Sequence, residues 1–238
     1  EDVISKRPGV HAIIPGGGKH EFYKKKLDKI AQFAGEAKGS DGKLIPIIFR
    51  PFHEHNGNWF WWSHSIHKCR FFCFVTSVSE KAKRKGNSDF IKLWRFTVDY
   101  LKNTKKVHNF IYAYSPTIYK NRGLFWRYPG DEYVDILGFD YYGDSLDPAL
   151  THLKTLVKEA KRRGKISALT EAGSEGIKDK NYWTEKLIRP IKRDKVLKNL
   201  SYLMVWRNSF NRPDHFFAPY PGHQSVPDFL KMIKDPFV

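Results

Sequence analysis

An alternation of apolar runs with amphipathic stretches predicts a parallel α/β fold for this chain. Apolar segments recur at 44–49, 109–114, 134–139, 166–170 and 201–206 and read as strands. Amphipathic stretches near 20–38, 88–103, 148–163 and 181–199 separate them, each entered or left through Gly, Asn, Asp or Pro. Strands alternating with helices are the signature of parallel βα units. Length agrees: 238 residues, 41% of them hydrophobic, suffice for one domain with a sizeable core. Neither an internal repeat nor a linker interrupts the pattern, so residues 1–238 are expected to form one domain.

Taken in order, the chain opens on a short segment, Glu1 to Arg7, with no strand and no apolar signal core. Gly16-Gly17-Gly18 suggests a phosphate cradle, but no Lys-Ser/Thr follows at P-loop spacing, and a turn is the better reading. The helix over 20–38 carries Lys24-Lys25-Lys26 as a solvated face, and Lys158 to Arg163 do the same in 148–163. The β-branched run at 44–49 predicts a strand buried on both faces. Segment 63–88, an apolar core followed by a basic run without clear period, breaks the alternation; it reads equally as a loop insertion, an extra hairpin or sequence foreign to the pattern. The later strands then follow at regular intervals, with 166–170 ending in Glu171.

Lysine and arginine exceed aspartate and glutamate by 42 − 25 = 17, a balance that raises nucleic acid as a partner. The cations are spread over several helices, so no nucleic-acid partner is expected, and solubility or nearness to an acidic surface explains them better. Cys69 and Cys73, the two cysteines, are poorly placed to bridge each other if helical. No apolar run reaches the roughly 18 residues of a membrane span.

Chemistry concentrates in Arg50-Pro51-Phe52-His53-Glu54-His55-Asn56-Gly57-Asn58-Trp59-Phe60-Trp61-Trp62, just past the first strand. The loop after the C-terminal end of a parallel strand is where such folds place catalysts. Glu171 ends a second strand in the same manner. Paired carboxylates are what most sugar-cleaving enzymes need: one protonates the leaving oxygen, the other attacks the anomeric carbon or activates water. Indoles offer stacking platforms for pyranose rings. Trp59 fits that use, while Trp61 and Trp62 read equally well as packing. His53, Glu54, His55, His64 and His67 invite a metal reading, but consecutive residues alternate faces, unlike the two histidines four apart of zinc peptidases, so neither metal nor cofactor is expected.

The run from Arg50 to Trp62 closely resembles glycoside hydrolase family 26, whose best-known members are endo-β-1,4-mannanases. Tyr112-Ala113-Tyr114-Ser115-Pro116, Tyr128-Pro129-Gly130-Asp131, Asp135 to Gly143, Leu169-Thr170-Glu171-Ala172-Gly173 and Val205-Trp206-Arg207-Asn208 agree in order. The resemblance implies a (β/α)8 TIM barrel in which 44–49 is strand 4 and 166–170 strand 7. Strands 1 to 3 would lie upstream of residue 1. It further implies a retaining endo-β-1,4-mannanase with Glu54 as general acid/base and Glu171 as nucleophile. His53 would hydrogen-bond near the acid/base, and Trp59 would line the subsite of the reacting mannose. Asp140 and Tyr142 would orient the nucleophile and touch the sugar, with Trp206 as a platform and Arg207 beside it. Asp140 and Arg207 taken alone read equally as a buried carboxylate and an ion-pair partner. The implied partner is β-mannan, for a monomer that is secreted or held at the cell surface or periplasm. The alternatives are a carbohydrate-binding remnant without turnover, or a relative acting on β-glucan or xylan.

Overall fold

The computed structural model describes residues 9–63, 80–119 and 122–238, in two compact units divided between Asp135 and Ile136. Cys69, Cys73, His64 and His67, and most of the irregular segment 63–88, lie outside the described residues.

The first unit holds helices α1 (Gly9–Ile13) and α2 (His20–Glu36), strand β1 (Ile47–Phe49), helix α3 (Glu80–Asp99) running into a π-helical turn at Tyr100–Thr104, and strand β2 (Phe110–Tyr114). α3 begins inside the segment that the sequence pattern leaves irregular, so the basic run from Glu80 is helical backbone. The helix is anchored by Phe90, Leu93, Trp94, Val98 and Leu101, all buried at helical spacing. Thr97 sits on the same face, where its hydroxyl donates to the Leu93 carbonyl (2.8 Å) and shares a 2.6 Å hydrogen bond with Tyr23 of α2. Burial there pushes the Tyr23 phenol well above its ordinary pKa.

β1 and β2 pair in parallel, Ile47 opposite Phe110 and Phe49 opposite Tyr112. β1 is shorter and less covered than the sequence predicts: Leu44, Ile45 and Ile48 are 44%, 46% and 47% exposed. Successive strand side chains point to opposite faces. Phe49 meets the rings of Phe110 (4.8 Å) and Tyr112 (6.1 Å), whereas Ile48, on the other face, is left uncovered among the described residues.

The second unit consists of β3 (Ile136–Tyr142), α4 (Leu150–Arg162), β4 (Ile166–Gly173), a π-helical turn at Tyr182–Ile188, α5 (Arg189–Arg193), β5 (Tyr202–Val205) and α6 (Val226–Ile233). β3, β4 and β5 form a parallel ladder, with Ile136 opposite Ile166 and Ala168 opposite Tyr202. α4 buries Leu153, Leu156, Val157 and Ala160 and turns Lys158, Lys161 and Arg162 to solvent. It ends in a Schellman motif, in which Gly164 (φ +64°) donates to the Lys161 carbonyl (3.2 Å) and Lys165 to that of Ala160 (2.8 Å). β4 is buried from Ser167 to Gly173, the strand that the sequence predicts over 166–170.

The helix predicted over 181–199 runs as helical backbone from Tyr182 to Arg193 and ends there. Pro190 enters the first turn of α5. Beyond Arg193 the Asp194 carboxylate accepts the N–H groups of Val196 (2.8 Å) and Leu197 (3.1 Å), which starts a separate 3-10 turn at Leu197–Asn199.

Truncating Leu153 to Ala, at a position with 0% exposure, should destabilise the protein by about 2–5 kcal/mol, read as a lower urea midpoint in equilibrium unfolding.

Candidate active site

Past β1 the chain turns through two left-handed residues, Phe52 (φ +53°) and Glu54 (φ +49°). Such conformations cost non-glycine residues about 1–3 kcal/mol each and persist where surroundings enforce them. Phe52 is held edge-on by Trp61, Trp62 and Phe90, each ring centroid 6.2 Å away. The Glu54 N–H donates to the Ser115 carbonyl after β2 (2.8 Å), and the Glu54 carbonyl accepts from Gly57 (2.9 Å). The Glu54 side chain, 8% exposed, accepts the Trp59 indole N–H on Oε2 at 2.6 Å. A Cβ on Gly57 would lie 2.6 Å from the Trp59 ring, so glycine makes room for that indole.

The residues that follow Glu54 are fastened to the segment after β2. Asn56, fully buried, donates to the Thr117 carbonyl (2.6 Å) and accepts the Thr117 N–H (3.0 Å). Arg122 donates to the carbonyls of Asn56 (2.5 Å) and Gly57 (3.2 Å). Arg127 donates to the His55 carbonyl (3.1 Å) and to Asn87 Oδ1 (3.0 Å). Its guanidinium also lies over Trp126, 4.3 Å from the ring centroid. Burial, reinforced by neighbouring Arg122, pulls the Arg127 pKa down to about 9. The His55 ring is buried between Phe90 (4.6 Å) and Tyr114 (4.9 Å), and neither nitrogen has a hydrogen-bond partner among the described residues. Burial first, then the charges of Arg127 and Arg122, hold its pKa well below the ordinary 6.5.

His53 is half-buried, its ring 4.7 Å from Phe60 and 5.7 Å from Trp62, and its carbonyl accepts the Trp62 indole N–H (2.7 Å). Trp61 and Trp62 pack against one another and on Phe52, which resolves their even reading toward packing.

In the second unit Glu171, 2% exposed, lies near the end of β4. The Tyr142 hydroxyl, from the end of β3, donates to Glu171 Oε2. Register explains the meeting: Phe139 lies opposite Leu169 but Asp140 opposite Glu171, so Thr170 is an extra residue, a bulge that re-aims the strand end. Thr170 uses its hydroxyl to donate to the fully buried Asp140 (2.6 Å). Phe217 packs on Tyr142 at 5.3 Å. Trp206, just past β5, is half-buried, and the exposed Arg207 has its guanidinium 5.9 Å from the indole centroid.

Within each unit the structure therefore brings together pairs that the sequence nominates separately, Glu54 with Trp59 and Glu171 with Tyr142. Arg122, Arg127 and Phe217 are additions. Their positions, distant in sequence from the residues they hold, give no local signal.

Parallel βα units that end strands in buried carboxylates held by aromatic donors are the arrangement of an α/β glycoside hydrolase. The chain belongs to glycosyl hydrolase family 26, whose model matches residues 12–224. It is 36% identical over 241 residues to a mannan endo-1,4-β-mannosidase of Bifidobacterium adolescentis, covering 91% of this chain and 22% of that protein. A family 26 β-mannanase structure from Bacteroides ovatus superposes with a TM-score of 0.79 at 34% identity, over 96% of this chain and 61% of that one. The catalytic domain of an endo-β-1,4-mannanase of Bacillus sp. JAMB-750 gives 0.82 at 33% identity, over 99% and 62%. The chain thus spans about three fifths of these solved structures and a smaller share of the curated relative.

Because His55 stays neutral in the folded protein but takes a proton near pH 6.5 when unfolded, the unfolded state binds more protons below that pH. Its contribution to stability is lost as pH falls below 6.5, at up to about 1.4 kcal/mol per pH unit. His55→Phe should remove that part of the acid slope in thermal melts run from pH 7.5 to 5.

Proposed function

We propose that this chain carries retaining endo-β-1,4-mannanase chemistry on mannan, galactomannan or glucomannan. The observation that carries the reading is the Tyr142 hydroxyl donating to the buried Glu171 at a parallel strand end, in a member of a family whose matched relatives bear mannanase names. A phenol donor stabilises a carboxylate without placing a cation on it, which suits a nucleophile. In the first step Glu171 attacks the anomeric carbon while Glu54 passes its proton to the departing glycosidic oxygen. The second step reverses these roles: Glu54, now a carboxylate, takes a proton from water, whose oxygen attacks the anomeric carbon and frees Glu171.

Trp59 and Trp206 serve as sugar-stacking surfaces in this reading, with Arg207 and His53 as polar contacts and Asp140 supporting the end of β3. The half-buried indoles of Trp59 and Trp206 suit that use. A polymer too large to cross a membrane places the working enzyme outside the cytoplasm, secreted or at the cell surface or periplasm. Among the described residues no helix is long and apolar enough to span a membrane.

Reducing-sugar release from β-1,4-mannan by the purified chain, with circular dichroism on the same sample, tests the reading. Glu171→Ala should abolish turnover and keep the fold. Glu54→Ala should slow substrates with poor leaving groups most. A folded chain inert on mannan but retarded in mannan affinity gels would instead be a binding module, and turnover of β-glucan or xylan in place of mannan would move it to another specificity.

Tyr142→Phe, which deletes one oxygen atom, should lower kcat on mannan by about 10²-fold, measured beside an unchanged circular dichroism spectrum.

A further inference from the structure

The Glu54 turn is held by more than its own hydrogen bonds. Three consecutive carbonyls, those of His55, Asn56 and Gly57, are each met by a guanidinium from the segment after β2, Arg127 on the first and Arg122 on the other two. The Asn56 carboxamide makes a reciprocal pair with the Thr117 backbone, donating at 2.6 Å and accepting at 3.0 Å, as a neighbouring strand would. Glu54 itself is tied to the same segment through Ser115. A left-handed glutamate at φ +49° has other backbone conformations of lower intrinsic energy. Without the clamp the turn would relax, and the carboxyl would move relative to β1. The Arg122 guanidinium bonds the backbone carbonyls of Asn56 and Gly57 and the Asn56 carboxamide the backbone of Thr117, so both act on the backbone that carries Glu54.

We infer that Asn56 and Arg122 are positioning residues that fix the direction from which Glu54 exchanges its proton. The inference rests on the acid/base reading of Glu54. Displacing a catalytic group by about 1 Å can cost 10²-fold in rate, and the loss falls on the step that needs that group. Cleavage of mannan, whose leaving group is a poorly acidic sugar alcohol, needs the proton. Cleavage of a 2,4-dinitrophenyl β-mannobioside does not, because its phenolate leaves unaided. A loss of general folding would lower both alike.

The test compares kcat/KM on mannan and on the dinitrophenyl glycoside for Asn56→Ala, Arg122→Met and Glu54→Ala in the full chain, with thermal melts of each. Asn56 is fully buried and Arg122 only half-buried, so Arg122→Met carries the comparison where Asn56→Ala fails to fold. Both are expected to lose about 10- to 100-fold on mannan and less than about threefold on the activated glycoside, the pattern of Glu54→Ala in weaker form. Equal losses on both substrates in a folded variant, or none on mannan, overturn the inference. Amide exchange gives a readout independent of turnover: the Glu54 and Gly57 N–H groups should exchange at least about tenfold faster in the variants while β4 keeps its protection. Unchanged exchange there overturns the clamp itself. A Glu54→Ala enzyme that loses both activities equally, or a wild-type chain inert on both substrates, overturns instead the reading of Glu54 on which the clamp's catalytic role depends.

Discussion

A carboxylate taken out of water must find hydrogen-bond donors close by, and this requirement organises both units. An unpartnered buried charge is among the costliest features a fold can carry. Glu54 and Glu171, 8% and 2% exposed, each accept from an aromatic side chain: the Trp59 indole N–H in one case and the Tyr142 hydroxyl in the other. Each donor imposes a condition on the backbone. Trp59 reaches Glu54 only across a residue without a Cβ, Gly57, and Tyr142 reaches Glu171 because an extra residue, Thr170, shifts the register of β4 against β3. The bulge and the left-handed turn are thus local irregularities that put a carboxyl beside its donor.

The same logic explains how a cation is buried. Arg127 is 2% exposed, and its guanidinium is met by a backbone carbonyl, a side-chain amide oxygen and the face of Trp126. Its pKa is lowered to about 9 by that burial, which still leaves it charged at neutral pH. Cations on the face of α4 have no such role. Lys158, Lys161 and Arg162 lie on the solvent side of α4, as their helical spacing requires.

How much of this could be read from the chain varies with the origin of the signal. The two glutamates, their strands and the parallel pairing were legible, because short apolar runs recur between amphipathic stretches and two of them end in a glutamate. The 44–49 run is more apolar than β4, yet Ile48 stays exposed, since burial depends on what covers a face, which the strand's own residues do not encode. The stretch over 181–199 is helical from Tyr182 to Arg193 and stops there for a local reason that could have been seen, Asp194 capping a new turn. α6 (Val226–Ile233), with Pro227 in its first turn, carried a readable signal that the strand-and-helix alternation obscured. Arg122 and Arg127 were not legible at all. They act on backbone carbonyls some 65–72 residues away in sequence, and a guanidinium–carbonyl contact leaves no mark in the pattern of either segment.

Under the proposed reaction, the division of labour between donors has a chemical sense. An oxocarbenium-like transition state brings positive charge to the sugar ring. Neutral donors such as indole and phenol satisfy a buried carboxylate at lower electrostatic strength and release its oxygen lone pair more readily as the charge moves. Two guanidinium donors, Arg127 and Arg122, sit one step away, on the carbonyls of residues 55 to 57. There they stabilise the position of the backbone that carries Glu54.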